Sequence, residues 1–137
     1  MILVDTNVLS ETSRLRPDPN VLLWLATHRQ RLWMPTIALA ELRYGVEKLP
    51  ASRQREELDQ WLAKLTVDFA ARMAPFDRKA AESHGRLRAR LKLIGKPMDA
   101  PDSYIAAIAR SLRVPVATRN MDDFEHAEIE LIDPWRA

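Results

Sequence analysis

The chain has 137 residues, a length that suits one domain with a core of its own. Apolar residues make up 47%, which excludes a disordered or fibrous chain, and no apolar stretch approaches the ~18 residues of a membrane span. The absence of cysteine excludes disulfides, thiolate zinc sites and thiol catalysis, while a net charge of +2 permits a polyanionic partner without demanding one.

Ile2, Leu3 and Val4 form an apolar run that ends abruptly in Asp5, the pattern of a buried strand in a parallel sheet. The run is too short for a signal-peptide core and lacks a basic flank, so the chain reads as cytoplasmic. A short helix is predicted over Thr6 to Thr12. Asp18 followed by Pro19 predicts a helix start, with Val21, Leu22, Trp24 and Leu25 at helical spacing. Leu32 to Met34 reads as a strand, and Thr36 to about Leu49 as a helix stopped by Pro50. A long helix is expected from Ser52 to about Leu65, with Leu58, Trp61, Leu62 and Leu65 on one face. Val67 to Phe76 gives no clear pattern beyond a partly extended stretch. Asp77 caps a helix running to Gly95. Asp102 is expected to cap the next helix, which ends before Pro115. Val116 to Thr118 and Ile129 to Ile132 are the last predicted strands. Strands alternating with helices argue for an α/β fold whose central sheet is mostly parallel.

Asp5 stands where α/β sheets collect ligands, at the carboxyl end of a strand. Three further acids stand in comparable places. Glu41 shares a helical face with Ile37, Ala38 and Gly45, an apolar setting in which it is either a boundary Glu that reaches solvent or an Arg such as Arg43 or Arg16, or a residue reserved for chemistry. Asp102 leads an alanine-rich face through Ala106 and Ala109; capping and metal binding are compatible there, because a carboxylate has two oxygens. Asn120, Asp122 and Asp123 follow the strand at Val116, either as a polar turn or as ligands. Asp99 reads as a loop residue before Pro101. Two ionised carboxylates about 4 Å apart repel by roughly 4 kcal/mol at an effective dielectric of ~20, so a cluster of them needs a cation, a proton or an arginine. Oxygen donors without thiolates favour a hard ion, Mg²⁺ or Mn²⁺.

The segments Leu3-Val4-Asp5-Thr6-Asn7-Val8-Leu9-Ser10, Ala40-Glu41-Leu42-Arg43-Tyr44-Gly45, Asp102-Ser103-Tyr104-Ile105-Ala106-Ala107-Ile108-Ala109 and Ala117-Thr118-Arg119-Asn120 occur in an order that spans nearly the whole chain. Through them the chain resembles the PIN-domain ribonucleases, specifically the VapC-type toxins of type II toxin–antitoxin systems and their FitB-like branch. The resemblance implies a single PIN-like domain over residues 1–137, with Asp5, Glu41, Asp102 and Asp123 as the catalytic acids. It further implies Asp5 and Asp102 as principal Mg²⁺ ligands, Thr6 orienting Asp5, and Thr118 supporting the pocket through its hydroxyl; Asn7 belongs to the same supporting set. Some relatives place an Asp where this chain has Asn120; others match Asp123-Phe124. Asp123 is taken as the fourth acid, with Asn120 as a neutral ligand or water-binding residue. Implied partners are an RNA substrate, a small antitoxin whose tail blocks the acidic pocket, and a second copy of the chain.

Other constellations carry less. Three glycines leave no phosphate-binding loop. His28, His84 and His126 are isolated, which speaks against an acid–base histidine pair. A haloacid-dehalogenase-type phosphatase wants an Asp at position 7, where this chain has Asn7. Arg86, Arg88, Arg90, Lys92 and Lys96 read as a solvated helix end or as a phosphate track toward Asp102. Trp24, Trp33 and Trp61 read as core or interface, and Trp135 as packed on the body. The alternative to an endoribonuclease is a PIN fold kept as a non-catalytic protein-binding module.

Overall fold

The computed structural model describes residues 1–137. Five strands form one sheet: β1 (Ile2–Val4), β2 (Leu32–Pro35), β3 (Met73–Ala74), β4 (Val116–Ala117) and β5 (Leu131–Ile132). They lie in the order β3-β2-β1-β4-β5, and every neighbouring pair is parallel. Six helices join them: α1 (Thr6–Glu11), α2 (Pro19–His28), α3 (Thr36–Glu47), α4 (Arg53–Asp68), α5 (Arg78–Leu93) and α6 (Ala100–Leu112). Short 3₁₀ turns occupy Arg29–Arg31 and Met121–Phe124. This is the expected α/β architecture, a parallel sheet flanked by helices. No helix is long and apolar enough to cross a membrane.

The three residues of β1 are all buried, because the sheet is covered on both faces. Side chains alternate across it. Ile2 and Val4 enter one core with Val8, Val21, Leu42 and Leu62, from the helices α1 to α4. Leu3 enters the other with Leu87, Leu91, Ile105, Ile108 and Phe124. Trp24 is buried in the first core, Trp61 and Trp135 pack against it, and Trp33 packs against the second.

The strand order reverses between β1 and β4. The chain builds outward from β1 through β2 to β3, then returns to the other side of β1 for β4 and β5. Strand ends diverge at such a switch point and leave a crevice at their carboxyl edge. Asp5 and Thr118 are the first residues beyond β1 and β4, so sequence position alone puts both in that crevice.

Several helix boundaries follow the expected chemistry. Asp18 accepts from the Asn20 N–H and Asp77 from the Ala80 N–H, each at the N-cap. Helix α5 stops where Gly95 adopts φ +68°; the Gly95 N–H reaches the Lys92 carbonyl and the Lys96 N–H the Leu91 carbonyl, the paired bonds of a Schellman end. Other boundaries differ. Asp102 does not cap α6. Asp99 holds the N-cap position, two residues before Pro101, and Asp102 lies inside the first turn. Proline is favoured in a first turn, where its missing N–H costs nothing, and this moves the start of the helix toward the N-terminus. Within Val67 to Phe76, α4 runs on to Asp68 and only Met73–Ala74 pairs as a strand; α3 stops at Glu47, and β5 begins at Leu131.

Candidate active site

The site begins at the end of β1. The Asp5 N–H donates to the Ala117 carbonyl at 2.9 Å, which ties the end of β1 to β4, and the Thr118 N–H donates to the Ile132 carbonyl at 2.9 Å, which ties β4 to β5. Asp5 caps α1, its carbonyl accepting from the Val8 and Leu9 N–H groups. Only 3% of Asp5 is exposed. Its carboxylate is held from three sides: Oδ1 accepts from the Thr6 N–H (2.7 Å), and Oδ2 accepts from the Thr118 hydroxyl (2.7 Å) and the Asn7 amide (3.2 Å).

The Thr118 hydroxyl is fully used. It donates to Asp5 and accepts from the Asn7 amide (3.3 Å) and the Asn120 N–H (3.0 Å), all that one hydroxyl can do. Asn7 closes the loop by accepting from the Arg119 N–H at 3.2 Å. Thr6, Asn7, Thr118 and the backbone after β4 thus form one network around Asp5. Burial explains its completeness, since an unsatisfied polar group at this depth costs about 1–3 kcal/mol.

Glu41 comes from the middle of α3, and its Oε1 accepts from the Thr6 hydroxyl at 2.9 Å. Thr6 therefore serves two acids, Asp5 through its N–H and Glu41 through its hydroxyl. Arg43 is engaged elsewhere, with Asp59 at 2.7 Å and Glu47 at 3.6 Å, so the bland alternative of a Glu41–Arg43 pair is not what forms. Asp102 is half-buried on α6, and its carboxylate, like that of Asp123, receives no hydrogen bond.

Asp102 stands in the field of the other three acids. Asp102 is pushed up to about 7, first by burial and then by the charges of Asp5, Asp123, Glu41 and Asp99. Burial also raises Asp5, against the lowering pull of its three donors, and Asp123 adds to the rise. Burial raises Glu41, helped by the charge on Asp5 and opposed by the Thr6 bond. None of the four is ion-paired to a Lys, Arg or His. Buried negative charge without a basic partner leaves a proton or a cation to balance it.

No three acidic or histidine side chains close into a ready-made cage for an ion. An ion there would be held by one or two carboxylates and keep several of its waters, as a hydrated hard cation does. The donor set is all oxygen, no ammonium or guanidinium is ion-paired to it, and it fits such an ion at Asp5 and Asp102.

Of the residues singled out from sequence, the structure brings Asp5, Glu41 and Asp123 within electrostatic reach of Asp102 and places Thr6, Asn7 and Thr118 among the hydrogen-bond partners of Asp5 and Glu41. At the ambiguous corner, Asn120 contributes its backbone N–H to Thr118, while the charge of Asp123 acts on both Asp5 and Asp102. Asp99 was missed as a contributor to the acidic field. Its signal was Pro101, which reads as a first-turn proline and moves the helix start to Asp99. Lys96, one of the cations read from sequence as a possible phosphate track, lines a cavity of about 310 Å³ beside Asp102 and Asp123; His126 lines it too and had no signal, because only the fold brings the two loops together.

The PIN domain family matches residues 2–130. The chain is 39% identical to the VapC ribonuclease Y4jK of Sinorhizobium fredii, over 98% of each chain. It is 36% identical to Toxin FitB of Neisseria gonorrhoeae, over 98% of this chain and 99% of that one. The crystal structure of FitAcB from Neisseria gonorrhoeae superposes with a TM-score of 0.92 at 36% identity, covering all of both chains. With the acids at the switch point of a parallel sheet and these full-length likenesses, the chain belongs to the PIN-domain family, among the VapC- and FitB-like toxins of toxin–antitoxin systems.

Proposed function

We propose that the chain is a Mg²⁺-dependent endoribonuclease, with Mn²⁺ as a substitute, that hydrolyses RNA phosphodiester bonds to a 5′-phosphate and a 3′-OH and acts as the toxin of a type II pair. The observation that carries this reading is the convergence of Asp5, Glu41, Asp102 and Asp123 with no basic partner, at the carboxyl edge of the sheet. The likeness to relatives named as ribonucleases supports the same chemistry.

Asp5 and Asp102 would hold the ion. When bound, the ion supplies charge neutralisation at the phosphate and lowers the pKa of water at the site. The chain's own contribution is orientation. Thr118, Asn7 and the Thr6 N–H fix Asp5 in one direction, so little is lost in ordering it when substrate arrives. Thr6 fixes Glu41 through Oε1, which leaves Oε2 open to accept a hydrogen bond from the attacking water. Asp123 lines the approach from the other side and orients water there. Attack proceeds in line at phosphorus, and the 3′ oxygen leaves.

The partners in this reading are a small antitoxin that covers the acidic pocket and a second copy of the chain. Support for the antitoxin comes from the solved relative described as a member of the VapBC family of toxin–antitoxin systems, 29% identical with a TM-score of 0.70. The test is incubation of the purified chain with RNA in Mg²⁺, in Mn²⁺ and in EDTA. Cutting is expected with either ion and not in EDTA, with products that a 5′-phosphate-dependent exonuclease degrades. Cutting that persists in EDTA, or an Asp5→Asn variant as active as wild type, refutes the reading.

A further inference from the structure

The five cations at the end of α5 do not form one patch; the structure sorts them. Arg86 leans toward Glu82 at 3.6 Å, on the side of a separate cavity it shares with Arg78 and Arg113. Arg90 turns inward, donating to the His126 carbonyl at 2.6 Å and standing 3.3 Å from Glu128. Arg88 and Lys92, one helical turn apart, are exposed, and no carboxylate pairs with either; Lys96 joins them after the Gly95 turn.

These three line cavities that lead to the acids. A cavity of about 450 Å³ is bounded by Arg88, Lys92, Gly95, Pro97 and Met98. The cavity of about 310 Å³ shares Gly95, Pro97 and Met98 with it, adds Lys96, and reaches Asp102 and Asp123. A third, of about 390 Å³, shares Asp122 and Asp123 and continues to Arg119; Arg136, also in its wall, is taken by Asp133 at 3.8 Å. Shared walls make the three one groove, with cations at both ends and the carboxylates between. The guanidinium of Arg119 lies 4.9 Å from the centre of the Trp135 ring, which anchors that end.

A polyanionic strand is repelled by the acids and attracted by cations on either side of them. Cavities of this size hold single small ligands and suit an unpaired strand whose backbone tracks a basic groove. We infer that a single-stranded RNA segment lies along this groove, its phosphates held by Arg88, Lys92 and Lys96 on one side of the acids and by Arg119 on the other. This rests on the ribonuclease reading and assigns the residues that position its substrate.

The test is binding of a short fluorescein-labelled single-stranded RNA to the intact protein in EDTA, followed by anisotropy across a salt series. Loss of three phosphate contacts is expected to reduce the salt slope by about 2 and, scaled from a 1 M reference, affinity at 0.15 M salt by about fifty-fold. The variant carrying Arg88→Ala, Lys92→Ala and Lys96→Ala should show both, with KM raised and kcat kept when cutting is measured. Arg86→Ala, a cation on the same helix aimed elsewhere, should show neither. Equal losses in the two variants, or a duplex of the same sequence bound as tightly, overturn the inference. If wild type cuts RNA and the triple variant binds it unchanged, the groove falls and the nuclease reading stands. A wild type that neither binds nor cuts RNA overturns both.

Discussion

Replacing Asp102 with Asn should stabilise the metal-free protein at pH 8. The Asp102 carboxyl is pushed from its ordinary 3.8 to about 7 in the folded chain by burial and by the acids around it. Because the folded value lies above the unfolded one, neutral Asp102 contributes its stability in full below pH 3.8. That contribution is lost as the pH rises to about 7, where the folded protein gives up the proton. Three units at 1.36 kcal/mol each would amount to about 4 kcal/mol for a group shielded from water; Asp102 is only half-buried, and solvent screening brings this to about 1–2 kcal/mol. Asparagine has nearly the same shape and carries no charge, and it breaks no hydrogen bond, since the Asp102 carboxylate makes none. Thermal melts in EDTA should therefore place Asp102→Asn about 3–8 °C above wild type at pH 8, with the gap narrowing toward pH 5. Saturating Mn²⁺ should reverse the order, because an ion bound at 100 times its Kd adds about 2.7 kcal/mol and the variant has lost one of its two proposed ligands. A variant that melts no higher than wild type at pH 8 in EDTA, or a gap that does not change with pH, refutes the electrostatic account of the site.

Three further substitutions probe other parts of the cluster. Asp123→Asn should lower RNA cutting about 10–100-fold and move the acid limb of the pH–rate profile to lower pH, because it removes one of the charges that raise Asp102, while Asn120→Ala should leave the profile in place; the reverse pattern would put the fourth corner at Asn120. Thr6→Val should lower kcat about tenfold with α1 intact by circular dichroism, since it removes the hydroxyl that fixes Glu41 and leaves the N–H that fixes Asp5; unchanged kcat would deny Glu41 an oriented role.

The sequence carried the fold class because its signals were local. Asp18-Pro19, Asp77 and Gly95 each mark a boundary through the chemistry of a single turn, and the structure uses them so. The stretch from Val67 to Phe76 was opaque because β3 is two residues long, too short for any period to register, and is defined by pairing with β2. Asp102 as a cap was a reasonable local reading that a proline two residues beyond Asp99 overrides. At the site, acids at strand ends and on small-residue faces stood out along the chain. The network linking Asn7, Thr118 and the Arg119 N–H did not, because it joins positions more than a hundred residues apart. The basic run from Arg86 to Lys96 shows the same limit: composition marks the charge, and only helix phase and the neighbouring loops decide which cations face the acids.

The hydrogen bonds also divide labour among the acids. Asp5 receives three, Glu41 one, Asp102 and Asp123 none. Donors lower a carboxyl's pKa and hold its direction, so Asp5 is oriented before any ion arrives. Asp102 has only repulsion and desolvation acting on it, and near neutral pH it stands poised between a proton and a cation. A site made wholly of carboxylates fixed like Asp5 would bear its repulsion permanently in the metal-free fold. One with none fixed would pay to order every ligand on binding. Placing the donors at the buried strand end, and leaving the acid on α6 unpartnered, gives a fold that persists without an ion and presents one proposed ligand already fixed in direction. Asp5 is thus the positioned half of the proposed ligand pair and Asp102 the responsive half, a distinction that follows from where each stands in the sheet and helix.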